Sequence, residues 1–401
     1  MEKNMASSKY SVDYSFPAIA VLGSTGSVGK QALDIARRHG VRVLALSANT
    51  NITLLEEQIR EFSPDYCTVV DKRAAEDLRV AVADTKTKVL AGHSELCDMI
   101  TACDAPVIIN AIVGSAGLLP TLTAVREGRR VALANKESLV VGGELVMAET
   151  RRYGAEIIPV DSEHSAVFQC LEAGRREDLN RIILTASGGP FFGYTKERLE
   201  MVRLSDALAH PTWKMGAKIT IDSATMMNKG FEVIEAAHLF GVAADQIDVL
   251  IHRESIIHSM VEYIDNTIIA QMGLPDMRSC VQYALSYPAR AEGVGERLNL
   301  AEIGNLSFYA PETDSFPLLS VAYDALRAGG VVPAALNAAD EIAVAAFLRE
   351  EISFLGISEV VIRTVDRFAN GKKALPALED ILEVDRDARR IAQSFIDVQG
   401  R

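Results

Sequence analysis

Two carboxylates, Asp161 and Glu163, follow the apolar run AEIIPV in the stretch PVDSEHSAVFQ, residues 159–169. Read as an extended strand, this stretch sends alternate side chains to one side, so the two acids converge while Ser162 points elsewhere. A second acidic source is IDSATMMNKGFEVIEAAHLFG, read as a helix capped by Asp222 or Ser223 and stopped at Gly241. On it Asn228 and Glu232 are four apart on one face, with Lys229 beside them. Three carboxylates drawn together repel one another unless a cation sits between them or one is protonated. An all-oxygen set suits Mg²⁺ or Mn²⁺ better than zinc, which prefers His and Cys. On spacing alone Glu235 serves as the third ligand as well as Glu232. The opposing reading is that Asp161 and Glu163 pair with nearby Lys or Arg, or cap a helix starting around Ser165.

Two phosphate-type patterns lie close in sequence to these acids. LTASGGPFF ends a strand in Ser187, Gly188 and Gly189, whose small residues permit a concave run of N–H groups, and DSATMMNKG offers Ser223, Asn228 and Lys229. Between them HPTWKMGAK, residues 210–218, carries the only tryptophan, Trp213, among chain-breaking residues. Such a segment reads either as a lid that excludes water or as a surface segment whose Trp213 packs on its own domain. Upstream, IAVLGSTGSVGKQALDIA places Gly23, Gly26 and Gly29 between a short strand and an amphipathic helix. That context lets the backbone approach a pyrophosphate at a helix N-terminus. After the second strand the chain reads LSANTNITL, so Ala48, Asn49, Thr50 and Asn51 stand where an NAD enzyme places an acid. With no carboxylate to repel a 2′-phosphate, NADP is expected.

The elements that must position these residues follow from periodicity. Strand-length apolar runs alternate with helical patterns through the first part, which implies a parallel sheet with helices on both faces. From RIILTA onward strands cluster, with ITIDSA, QIDVLIH, SMVEYID and TIIAQMG all read as strands. Periodicity is lost over residues 290–313, and four helical patterns follow. The expected fold class is α/β: a Rossmann-like dinucleotide-binding domain (1–160), a central α+β catalytic domain (161–289), a linker (290–313) and a C-terminal helical bundle (314–401).

At 401 residues the chain exceeds one ordinary core. A net charge of -13 argues against nucleic-acid or anionic-membrane partners, so an anionic ligand needs a local site. Five scattered cysteines fit a reducing cytoplasm. The opening residues 1–16 are expected to be a loose tail rather than a targeting peptide, and no run is long enough to span a bilayer.

Taken together, GSTGSVG, NAIVGSAGL, ALANKESLV, PVDSEHSA, ASGGPF, HPTWKMGAKITIDSATMMNKGFEVIEA, IIHSMVEY, PDMR and LNAADEIAVAAFL resemble, in order, the hallmarks of the 1-deoxy-D-xylulose 5-phosphate reductoisomerase family. The resemblance implies an NADPH site at Thr25, Gly26, Ser27, Val28, Asn51, Asn135, Glu137 and Gly216. It implies Mg²⁺ or Mn²⁺ on Asp161, Glu163 and Glu232, choosing Glu232 over Glu235. It places Lys136, Ser162, Glu163 and Glu232 at the carbonyl and hydroxyl end of a sugar phosphate, and Ser187, His210, Ser223, Asn228 and Lys229 at its phosphate. Lys136, Asp161, Glu163, Glu232 and His210 would be catalytic, Trp213 and Met215 would cover the substrate, and His164 and His258 match family histidines near the site. Some relatives carry a basic residue where this chain has Thr50. The implied enzyme is a homodimer of isoprenoid biosynthesis. Two rival readings differ in chemistry. A semialdehyde or acyl-phosphate dehydrogenase needs an activated cysteine in a setting none of the five has. A dinucleotide-sensing regulator leaves the acids and phosphate loops without a role.

Overall fold

The computed structural model describes residues 15–211, 213, 215–369 and 375–399. Most of the expected tail, and Thr212 and Lys214 of the expected lid, lie outside the described residues. Seven parallel strands form the first sheet: β1 (Ile19–Leu22), β2 (Val43–Ala48), β3 (Tyr66–Val69), β4 (Lys88–Ala91), β5 (Val107–Asn110), β6 (Arg130–Leu133) and β7 (Glu156–Pro159). Their order is β4-β3-β2-β1-β5-β6-β7, so the chain reverses direction between β1 and β5. β1, β2 and β5 are buried along their whole length, the mark of a parallel sheet covered on both faces. Ligands of such sheets bind beyond the carboxyl ends of the strands at the reversal point.

The second sheet orders β8 (Leu179–Ala186), β9 (Ile247–Ile251), β10 (Ile257–Tyr263) and β11 (Ile268–Met272) as β11-β10-β8-β9. β8 and β9 are parallel, whereas β10 runs antiparallel to β8 and β11. Helix Met227–Phe240 packs its buried Phe231, Val233 and Ile234 into the same core as Ile182 and Leu184 of β8. The C-terminal helices Leu318–Ala328, Val332–Leu348, Phe354–Val365 and Leu378–Gln399 complete that core. Val332–Leu348 is apolar nearly all round and correspondingly buried, as a central bundle helix must be. Helix Met277–Ser286 returns to the first sheet, where Val281, Ala284 and Leu285 join the core containing Ile109 and Ile158.

Several local expectations need correction. β7 stops at Pro159, and Asp161 caps helix Ser162–Leu171 by accepting from Glu163 N at 3.3 Å. A short polar acceptor at a helix start satisfies an otherwise unpaired N–H, which prevails over strand continuation. The segment ITIDSA is helical, within Ala217–Ala224, despite its β-branched residues; Lys218 and Asp222 pair one turn apart and Ile221 is buried. Neither Asp222 nor Ser223 caps the next helix, because Met226 in left-handed conformation (φ 65) separates the two. The expected linker carries a short helix, Leu300–Ile303, and a bridge between Tyr309 and Ile251. β4 carries no sequence pattern strong enough to single it out.

Candidate active site

Gly23 and Gly29 allow the turn after β1 to close tightly. At Gly23, with φ +77, a Cβ would lie 2.6 Å from Ala111 O. A Cβ at Gly29 would lie 2.6 Å from Ser24 Cα. Ser24 Oγ and O meet Gln58 at 2.7 and 3.0 Å, which fixes the turn against helix Ile52–Phe62. Helix Ser27–His39 follows, capped by Gly26 with no side-chain hydrogen bond, so its first N–H groups and dipole face the cavity mouth. Asn51 caps helix Ile52–Phe62, accepting from Leu54 N at 3.3 Å. Asn135 is buried, and its amide donates to Ile112 O, Gly114 O and Glu137 at 2.8–2.9 Å. It therefore shapes the loop after β5 from behind.

The carboxylates meet where helices Ser162–Leu171 and Met227–Phe240 face each other. Oxygens of Asp161, Glu163 and Glu232 all lie within 4.8 Å of one another. Two ammonium groups thread the cluster. Lys136 Nζ is 2.6 Å from Asp161 Oδ2, 3.1 Å from Glu232 Oε1 and 2.8 Å from Asn228 Oδ1. Lys229 Nζ is 2.8 Å from Glu163 Oε1 and also contacts Glu232. Ser162 donates to Glu163 at 2.5 Å, and Asn228 Nδ2 donates to Glu232 at 2.6 Å.

Three carboxylates on two ammoniums leave the cluster one negative charge in surplus. Its consequence falls on Glu232, 1% exposed, whose carboxyl is raised by burial and then by repulsion from Glu163. Burial acts upward on Asp161 too, but Lys136 and His164 outweigh it and hold that carboxyl well below its ordinary value. Burial works against the Lys136 ammonium, yet Asp161 and Glu232 hold it well above the usual lysine range. A buried oxygen set carrying surplus negative charge fits a hard divalent cation.

Behind this cluster His164 Nδ1 lies 3.0 Å from Glu235 and 3.8 Å from Asp161, with Nε2 2.8 Å from Glu232 O. Burial lowers the imidazole pKa, but Glu235 outweighs it and brings it up to about 9. Asp161, His164 and Glu235 also lie close enough to share an ion. Glu235, however, is fully buried against His164 and does not line the cavity, whereas Glu232 does.

On the far side, Gly188 and Gly189 adopt φ +77 and +62, and a Cβ at Gly189 would lie 2.7 Å from Ser223 O. The two glycines thus press the Ser187 loop against the helix end carrying Ser223, joining the two phosphate-type patterns. Ser187 Oγ lies 3.0 Å from His210 Nε2 and accepts from Gly189 N at 3.2 Å. His210 Nδ1 accepts from Trp213 N at 2.9 Å, tethering the covering segment to this loop. Burial and the nearby charge of Arg253 push the His210 imidazole below its ordinary value, favouring the neutral ring. Trp213 faces His258 of β10 with ring centroids 6.4 Å apart.

One cavity of about 840 Å³ unites these parts. Its walls include Gly26, Ser27, Val28, Lys136, Glu137, Gly216 and the acids Asp161, Glu163 and Glu232, with Ser162 beside them. Ser187, His210, Trp213, Met215, Ser223, Asn228, Lys229 and His258 line the remainder. Thr25, Asn51 and Asn135 do not line it. Residues without a sequence signal of their own also contribute, notably Gln31, Ile112 and Val113, as does Asp222, which the sequence offered only as a helix cap. NAIVGSAGL pointed to that loop as a segment, but no residue type in it announces a role.

Three family models match the chain: 1-deoxy-D-xylulose 5-phosphate reductoisomerase over residues 19–143, its C-terminal domain over 157–240, and the DXP reductoisomerase C-terminal domain over 272–391. The chain is 51% identical to 1-deoxy-D-xylulose 5-phosphate reductoisomerase of Acetivibrio thermocellus, covering 94% of this chain and 99% of that protein. It is 48% identical to the enzyme of the same description from Phocaeicola vulgatus, over 94% and 98% of the two chains. Among solved structures, the Zymomonas mobilis reductoisomerase in complex with NADPH superposes with a TM-score of 0.88 at 41% identity, covering 95% of this chain and 99% of that one. A DOX-P reductoisomerase in complex with NADPH, fosmidomycin and magnesium gives 0.90 at 38% identity, covering 96% and 99%. With an open glycine turn and a three-carboxylate cluster on one cavity, the chain belongs to the 1-deoxy-D-xylulose 5-phosphate reductoisomerase family.

Proposed function

We propose that this protein rearranges 1-deoxy-D-xylulose 5-phosphate and reduces the product with NADPH, giving 2-C-methyl-D-erythritol 4-phosphate in the non-mevalonate isoprenoid pathway. The observation that carries the reading is that the glycine turn and the Asp161, Glu163 and Glu232 cluster open on the same cavity. Mg²⁺ or Mn²⁺ held by these three acids would supply a Lewis acid that polarises the ketone and a neighbouring hydroxyl. The protein's own groups do the rest. Lys136 and Ser162 are assigned to the reacting oxygens. Ser187, His210, Ser223, Asn228 and Lys229 are assigned to the phosphate.

In the structure Asn228 and Lys229 are engaged by the carboxylates. A divalent cation on the three acids would compete with the Lys229 ammonium for Glu163 and Glu232, so Lys229 would be available to the phosphate. Binding at the phosphate, remote from the reacting carbons, then orders the covering segment around Trp213 and excludes water. Rearrangement yields an aldehyde; NADPH transfers hydride to its carbon and one solvent-derived proton completes the alcohol, leaving NADP⁺. The NADPH contacts are assigned to Thr25, Gly26, Ser27, Val28, Asn51, Asn135, Glu137 and Gly216, with Asn51 and Asn135 acting through the loops they hold. We assign the parts as nucleotide domain 1–160, catalytic domain 161–289, linker 290–313 and helical domain 314–401. A cytoplasmic homodimer is the assembly we assign. All five cysteines are free, and no helix among the described residues is long and apolar enough to cross a membrane.

The deciding assay is NADPH oxidation by the purified protein with 1-deoxy-D-xylulose 5-phosphate. Oxidation is expected to require Mg²⁺ or Mn²⁺ and to fall by about a hundredfold or more in Glu232→Gln, the range for losing a group that stabilises transition-state charge. NADPH binding without consumption, under metal-replete conditions, overturns the proposal and favours a nucleotide sensor.

A further inference from the structure

Adjacent acids on the C-terminal helix Val332–Leu348 grip two different walls of the active-site cavity. Asp340, fully buried, places Oδ2 2.9 Å from Lys218 Nζ, and that ammonium is also 2.6 Å from Asp222 Oδ2. Lys218 lies in the first turn of helix Ala217–Ala224, where the covering segment ends, and Lys218 and Asp222 both line the cavity. Glu341 turns the other way. Its Oε1 accepts from Ser115 N at 3.1 Å and from Asn337 Nδ2 at 3.0 Å, while Oε2 receives Arg389 Nη2 at 2.7 Å. Ser115 follows the loop whose Ala111, Ile112 and Val113 line the cavity on the nucleotide side. Gly114, with φ +77, has no room for a side chain there, since its Cβ would lie 2.8 Å from Glu341 Oε1. Neither Asp340 nor Glu341 lines the cavity.

We infer that Asp340 and Glu341 are positioning residues, through which the C-terminal helix fixes the loop at 111–115 and helix Ala217–Ala224 at the spacing that the reaction requires. A single rigid helix serves this purpose because consecutive residues on it diverge by about 100°, so one element reaches both walls with no slack between its two contacts. Asp340 is fully buried and Glu341 is half-buried. Losing either leaves its cation with a second carboxylate, Asp222 on Lys218 and Asp385 on Arg389, but removes the charge-assisted contact between the C-terminal helix and that wall, so the local segment is freer to shift. Misplacement by about 1 Å at such a distance costs up to about a hundredfold in rate.

The test is hydrogen exchange on the intact chain in Asp340→Asn and Glu341→Gln, alongside kinetics. Asp340→Asn is expected to speed exchange in residues 216–224 and leave 111–118 as in the unaltered protein; Glu341→Gln is expected to do the reverse. In the assay Asp340→Asn should raise KM for the sugar phosphate about tenfold and weaken NADPH less than that, and Glu341→Gln should weaken NADPH about tenfold. Should Asp340→Asn fail to fold, Lys218→Gln cuts the same contact from its other end and must give the same exchange signature. Unchanged exchange at both walls, or equal loosening of the whole helical domain in every variant, overturns the inference. The kinetic arm rests on the proposed function; the exchange arm does not. Absence of turnover in the unaltered protein therefore counts against the function alone, and exchange still decides the positioning roles.

Discussion

Gly29→Ala sets two effects of known sign against each other. Alanine is a better helix former than glycine by about 0.8–1 kcal/mol, so propensity alone makes the variant more stable. Against that, the new Cβ would lie 2.6 Å from Ser24 Cα and 2.8 Å from Ser24 C, where ordinary contact starts at 3.4 Å. Gly23 O lies closer still, so a missing distance of at least roughly 0.8 Å has to come from the start of helix Ser27–His39 moving off the turn, because the atoms in the way are backbone and have no rotamer to adopt. Overpacking of this kind costs about 1–3 kcal/mol, so the clash wins and the net change is a loss of up to about 2 kcal/mol. Cofactor affinity suffers further. A hydrogen bond from these N–H groups to a charged pyrophosphate contributes about 1.5–3 kcal/mol, and a shift of that size weakens it enough for a tenfold or greater rise in the NADPH dissociation constant. Urea denaturation and a fluorescence titration with NADPH measure the two quantities. Gly26→Ala, whose Cβ would meet only Gly23 O at 3.2 Å, should be the milder in stability. A Gly29→Ala protein that is more stable and binds NADPH normally would refute the close-approach argument.

Two further outcomes follow from the charge cluster. Lys229→Met strips Glu163 and Glu232 of a shared ammonium, so the metal-free protein should lose about 3–5 kcal/mol while Mg²⁺ raises its melting temperature more than it raises that of the unaltered chain; an equal rise in both would show that Lys229 does not compete with a cation there. With EDTA present, the His164 and Glu235 pair should make stability fall as pH increases. The His164 imidazole is raised from 6.5 to about 9, so its contribution is complete below 6.5 and vanishes through 9, a swing of up to about 3 kcal/mol. Glu235, raised by burial, acts in the same direction, since deprotonating it in the folded state is disfavoured. Urea midpoints across pH 6–9.5 check this, and a Glu235→Gln variant with an unaltered slope would disprove the assignment.

Much of this protein can be read from the order of its residues, because the properties concerned are local. The glycine turn, the apolar strands and the amphipathic helices express close-range sterics and periodicity, so β1, helix Ser27–His39 and the four C-terminal helices stand where the sequence places them. The candidate ligands Asp161, Glu163 and Glu232 were legible by residue type. How they meet was not: a helix cap on Asp161, rather than strand alternation, brings two of them together, and the capping hydrogen bond depends on where β7 ends. ITIDSA misleads because β-branched propensity amounts to only tenths of a kcal/mol per residue, less than burying Ile221 and pairing Lys218 with Asp222 supplies.

Spacing could not choose between Glu232 and Glu235, which differ by less than one helical turn. Tertiary packing separates the two, facing Glu235 with His164 and leaving Glu232 on the cavity. The surplus charge of the cluster, the Asn135 bonds that shape the loop at 112–114, and the hold of Asp340 on Lys218 are likewise decided only in three dimensions. Each joins residues more than twenty positions apart or balances several charges at once, and the energy of such contacts depends on distance and burial, quantities that the linear order of residues does not contain.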